Sequence, residues 1–175
     1  MIIPLEQSGI PGTGGKAKGL ALLMELGLAV PGGIVLVPGE NGSWKEELSA
    51  YLAGTPFEAV AVRSSALAED GEHASFAGQF QSYLDCRSEP EIIRAVEKCL
   101  DSANRDRVDA YRKHFHVQQA GAMPVIIQEM VRAECSGVIF TANPVAHRTD
   151  QWMISVVRGS GEKLMAGTAE GEQVL

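Results

Sequence analysis

The chain has 175 residues, 45% of them hydrophobic and 21% charged, with a formal net charge of −7. That is enough chain for one well-buried core or two small lobes, and too apolar for disorder. The acidic balance argues against general binding to nucleic acid or anionic membranes, so any anion site must be local.

The opening MIIPLEQSGIPG lacks a basic segment followed by an apolar one, and no apolar run approaches the roughly 18 residues of a membrane span. Cys86, Cys99 and Cys135 show neither CxxC spacing nor pairing with histidine, which fits a reduced, cytosolic setting. Gly12-Thr13-Gly14-Gly15-Lys16 leads into KAKGLALLMELG, where Leu20, Leu23 and Met24 predict a short amphipathic helix over 16–27 stopped by Gly27. A glycine turn into a helix N-terminus offers amides and a positive dipole end to phosphate oxygens, with Lys16 adding a mobile charge. It is not a P-loop, because Ile10 and Ala17 stand where Gly and Ser or Thr are required. It is also a poor dinucleotide fingerprint, since no clear strand precedes it. A plain turn before a surface helix remains open.

Ile34 to Val37 reads as a brief strand, 39–58 as loop, short helix and loop, and AVAVR at 59–63 as a buried strand. Arg63 at the mouth of a sheet has the planar fork to clamp a phosphate, or it pairs with Glu69 or Asp70. FAGQFQSYLDC predicts a second strand entered through Gly78, which permits close approach of a ligand, with Ser82 supplying a hydroxyl. Ser88 to Glu91 has the form of a capping box before Ile92, Val96, Cys99 and Leu100 at helical spacing. A further helix is expected over Asp106 to His114.

MPVIIQEMV and CSGVIFTANP, joined by Arg132-Ala133-Glu134, suit an antiparallel hairpin. Gln128, Glu129, Met130 and Val131 at the first strand's end either read an adenine edge with Met130 over its face or simply end a strand. QWMISVVRG predicts another strand before a glycine-rich segment. The four histidines include no HExxH and no credible Ser/His/Asp spacing. A helical front and a sheet-rich back indicate an α+β fold rather than alternating βαβ units.

AVRSSALAEDGEHASFAGQFQSYL followed by VIIQEMVRAECSGVIFTANPV resembles the N-terminal nucleotide-binding domain of the phosphoenolpyruvate synthase, pyruvate phosphate dikinase and rifampicin phosphotransferase family. GGKAKGLALLMELGLAVPGGIVL is similar to the family's opening, and VVRGSGEKLMAGTAEGEQVL to its later glycine-rich segment. The resemblance implies an ATP-grasp-like domain over 1–175, with 1–120 and 121–175 as a possible subdivision into lobes gripping ATP. It also implies that Lys16 and Arg63 contact phosphate oxygens and act catalytically. Gly78 and Ser82 would line the phosphate end, and Gln128 through Val131 would form the adenine-side hinge.

In the family, ATP passes a phosphoryl group to a histidine on a separate domain, and that histidine then phosphorylates pyruvate or another acceptor. Three departures stand out. The interval from Lys16 to Arg63 is short, the acidic Mg2+ ligands and the closing Gln-x-Arg element are expected outside this chain, and no phosphohistidine motif is present. The implied function is the ATP-binding portion of such a phosphotransferase, incomplete by itself. The alternative is a non-catalytic nucleotide-binding or regulatory module, and an incomplete lobe would expose apolar surface that a second copy could cover.

Overall fold

The computed structural model describes residues 1–39, 42–65, 82–103, 123–143, 145–168 and 170–174. They form two compact units, Met1–Met130 and Val131–Leu175. Helices and antiparallel sheets occur together, giving an α+β architecture. Among the described residues no helix is long and apolar enough to cross a membrane.

The first unit is built on a five-stranded sheet of β1 (Ile2–Pro4), β2 (Gly33–Leu36), β3 (Val60–Ser64), β4 (Ser82–Cys86) and β5 (Val125–Glu129). The spatial order is β1-β2-β5-β3-β4, and every neighbouring pair is antiparallel. Side chains alternate along each strand. Ile34, Leu36, Val60, Val62, Val125 and Ile127 therefore meet α2 (Trp44–Gly54) and α3 (Glu89–Ala103) on one face. Val35 and Ile126 point the other way and pack with Leu5 and with Ala17 of α1 (Gly15–Glu25). Helices on both faces explain why these strands read as unbroken apolar runs.

Each helix buries the stripe its spacing allows. Trp44, Leu48 and Leu52 of α2 recur every fourth residue, and Ile92, Ala95, Val96 and Cys99 of α3 follow the i, i+3, i+4, i+7 pattern; all are buried. At the start of α3 the Glu91 carboxylate accepts from the amides of Arg87 at 2.7 Å and Ser88 at 3.2 Å. Those bonds, the Arg87 amide foremost, hold its carboxyl below the usual range. A salt bridge between Lys45 and Glu97 links α2 to α3. On α1 the buried stripe is Ala17 and Ala21 with Leu20 and Met24 half-covered, while Leu23 is exposed. The helix ends at Glu25, and Gly27 at φ 79° closes it. Gly27 N–H donates to Met24 O and Leu28 N–H to Leu23 O, the paired bonds of a Schellman stop.

The second unit carries β6 (Cys135–Phe140), β7 (Met153–Arg158) and β8 (Glu172–Val174) in that spatial order, with the single-turn α4 (Glu162–Met165) between β7 and β8. The expected hairpin between the two apolar runs is not formed. Both edges of β5 are taken by β2 and β3, so β6 pairs instead with β7, from Cys135 opposite Arg158 to Phe140 opposite Met153. The β6–β7 connection is organised by the buried Asn143, whose Oδ1 accepts from the amides of Val145 and Ala146. The helix expected over 106–114 and the first half of the strand expected from Gly78 lie outside the described residues.

Candidate functional site

The glycine segment before α1 is an internally bonded loop. The Ser8 hydroxyl lies 2.7 Å from Leu5 O and 3.0 Å from Ala17 O, and the buried Thr13 hydroxyl lies 2.6 Å from Ser8 O and 2.8 Å from Ile10 O. Gly14 takes the N-cap position at φ 84° and ψ 163°, a region in which side chains are strained. Having no side chain, it cannot accept from the first-turn amides as a Ser or Asp cap would. Another part of the chain does so: the buried Ser65 hydroxyl accepts from the Ala17 N–H at 3.1 Å.

The same junction is clamped twice more. Lys16 Nζ donates to Ser64 O at 3.2 Å, and a Cβ built on Gly14 would fall 1.8 Å from Ser65 O. Ser65 is itself fixed by its N–H, which donates to Pro124 O at 2.9 Å. The start of α1 is thus seated on the C-terminal end of β3. The Ser64 hydroxyl, in a residue 1% exposed, has no hydrogen-bond partner among the described residues. Cys99, buried on α3, has its thiol pushed up to about 12 chiefly by burial, with the Lys16 charge and the Ser64 backbone pulling the other way.

Arg63 precedes this junction by one residue. It lies within β3, which runs on through Ser64, so it stands in the ladder rather than just beyond the strand. It is half-buried, opposite Ser82 on one side and Ile126 on the other. Directly paired residues share a sheet face, so Arg63, Ser82, Ile126 and Val35 form one row on the side that carries α1. The next row on that face is Ala61, Gln128 and Gly33. The structure therefore brings Lys16 to the end of β3 and sets Arg63 beside Ser82. Gly78, Glu69 and Asp70 lie outside the described residues.

At the end of β5, Gln128 is buried and its Nε2 donates to Pro31 O at 2.9 Å. The Glu129 N–H donates to Gly32 O and the Met130 N–H to Ala59 O, at 2.9 Å and 3.0 Å. Glu129 is exposed and Met130 half-buried. Val131, 60% exposed, begins the second unit, and its carbonyl accepts from the Ala133 N–H. Among the described residues no group of three or more His, Cys, Asp or Glu is placed to hold a metal ion.

The sequence pointed to Lys16 and Arg63, and to Gly14 as part of a glycine turn, but not to Ser65, which joins the two elements. The signal was present: a glycine at the N-cap leaves a first-turn amide to be satisfied from elsewhere.

The sequence profile of the pyruvate phosphate dikinase AMP/ATP-binding domain matches residues 44–175. The chain is 38% identical over 152 residues to an uncharacterized phosphotransferase of Bacillus subtilis, an alignment covering 83% of this chain and 18% of that protein. It is 39% identical over 117 residues to the phosphoenolpyruvate synthase of Pyrococcus furiosus, covering 66% and 14%. With the rifampicin phosphotransferase of Bacillus cereus it shares 38% identity over 130 residues, covering 73% and 15%. The chain thus spans less than a fifth of the length of these relatives. The profile match, which spans most of the sequence, makes this chain a member of the pyruvate phosphate dikinase AMP/ATP-binding domain family.

Proposed function

We propose that residues 1–175 are the ATP-binding portion, of ATP-grasp type, of a phosphotransferase that moves a phosphoryl group from ATP to a histidine on a separate domain and then to pyruvate or a related acceptor. The observation that carries this reading is the placing of two basic residues at one strand end: Lys16 Nζ donates to the carbonyl of Ser64, and Arg63 stands one residue earlier in β3, opposite Ser82.

Phosphoryl transfer asks a protein mainly to position the polyphosphate and to neutralise its charge. Arg63 can offer two parallel N–H donors to phosphate oxygens, and Lys16 a point charge at the start of a helix whose dipole has the same sign. The Ser82 hydroxyl adds a neutral donor beside Arg63, and Gly78 is assigned to the same phosphate end. Gln128 to Val131 serve the adenine side. The Glu129 and Met130 amides and the Gln128 Nε2 are already committed to Gly32, Ala59 and Pro31, so these three donors do not serve the base, and Met130 covers its face. Mg2+, when bound, supplies further charge neutralisation, through ligands assigned outside this chain.

Calorimetric titration of the 175-residue chain with ATP, ADP and adenosine tests the reading. Binding that strengthens from adenosine to ATP supports it. Equal affinity for all three, or no binding, overturns it.

A further inference from the structure

We infer that Ser65, with Gly14, is a positioning residue that sets the Lys16 ammonium at the Arg63 end of β3, and so tunes affinity for the polyphosphate and not for the nucleoside. The inference rests on the ATP-binding reading above and adds to it two residues that need touch no ligand.

Three contacts tie the two elements. The Ser65 hydroxyl takes the Ala17 N–H, the Ser65 carbonyl lies where a side chain at Gly14 would be, and the Ser64 carbonyl takes the Lys16 ammonium. Lys16 lies between the two α1 anchor positions, so its backbone cannot move without breaking the contacts on either side. A lysine side chain has four rotatable bonds, and an unanchored one would sample many positions. Here its root is fixed at two flanking residues and its tip at a third point, all on the segment that follows Arg63 directly. Ser65 is in turn fixed through its amide to Pro124, just before β5, the strand that flanks Arg63 on its other side. The strand pair that holds Arg63 is therefore the frame on which Lys16 is registered.

A helix cap that served the fold alone would stabilise the protein without regard to ligand. A registration device acts through Lys16, and that difference can be measured. Calorimetry with ATP and with adenosine is run on the wild type, Ser65→Ala, Ser65→Thr, Lys16→Ala and the Lys16→Ala/Ser65→Ala double variant. Ser65→Ala should weaken ATP binding about 3- to 10-fold and change adenosine affinity less than about 2-fold. Ser65→Thr, which keeps the hydroxyl, should return most of the loss. In the Lys16→Ala background the Ser65 change should have almost no further effect, because the group it positions is gone.

Additive losses in the double variant, or a parallel fall in adenosine affinity, overturn the inference. If Ser65→Ala does not fold, Ser65→Cys, which retains the size but accepts hydrogen bonds poorly, takes its place in the cycle. Failure of the wild type to bind ATP overturns the ATP reading and this inference together, whereas ATP binding indifferent to Ser65 overturns this inference alone.

Discussion

Arg63 and Ser82 stand directly opposite each other across the β3–β4 ladder, and Ile126 of β5 flanks Arg63 on the other side. The arginine stem thus leaves the sheet between an apolar neighbour and a hydroxyl-bearing one. Such a setting supports the aliphatic stem while the guanidinium remains able to meet an anion.

Replacing Arg63 by Ala should weaken ATP about 10- to 100-fold, the scale of a charge-assisted hydrogen-bonded contact. Arg63→Lys should recover only part of this, because an ammonium lacks the planar fork. Calorimetric affinities for the three proteins decide the matter, and equal values would remove Arg63 from the site.

Two glycines of one helix region should respond in opposite directions. Gly14→Ala introduces a Cβ that would lie 1.8 Å from a backbone oxygen at a positive φ, and should cost at least about 2 kcal/mol of stability. Gly19→Ala has open space within α1 and should stabilise by up to about 1 kcal/mol. Urea midpoints of the two variants against wild type provide the check; a neutral Gly14→Ala would mean the contact with Ser65 is not maintained in solution.

Glu91 gives a pH signature. Its folded carboxyl sits below the ordinary glutamate range, so its ionised form favours the folded state. That contribution is fully present above the unfolded glutamate value near 4.5 and is lost as pH falls through the lower folded value. The gap in melting temperature between wild type and Glu91→Gln should therefore be widest at neutral pH and close in acid. A gap that is constant with pH would mean the amide bonds to Arg87 and Ser88 are not made.

The three thiols should separate by access. Cys135 is exposed, while Cys86 and Cys99 are buried, so iodoacetamide at pH 8 should label Cys135 in the native protein and all three after unfolding. Because the Cys99 thiol is raised from 9.0 to about 12 in the folded state, its contribution to stability is full below pH 9 and declines as pH climbs toward 12. Peptide mapping of the alkylated protein reads the first point; native labelling of Cys99 as fast as Cys135 would contradict the packing of α3.

Much of the first unit was legible because its elements carry strong local patterns. Trp44, Leu48 and Leu52 belong to the short helix expected within 39–58, and the run at Ile92 to Leu100 has one clear apolar stripe. Strand partnership was not legible. Val125 to Glu129 and Cys135 to Phe140 are close in sequence and alike in composition, yet what separates them is the pair of edges β5 already uses, a property of residues far away. The strand β1 and the turn Leu5–Gln7 were also unseen, since three-residue elements hold too little periodicity to register. At the site, residue type and motif pointed to Lys16 and Arg63, whereas Ser65 acts through an amide nearly fifty positions away, which a local pattern does not encode.

The central place of β5 also dictates an order of assembly. β2 and β3 do not touch each other's ladder; each is completed by a strand that leaves the ribosome only after residue 129. Until then β2 and β3 each hold a bare, apolar edge, the state in which nascent chains are most open to pairing with a neighbour. Truncations that stop before Val125 should accumulate as insoluble material, and Arg63 acquires its fixed place only when the last strand of its sheet slides into the middle.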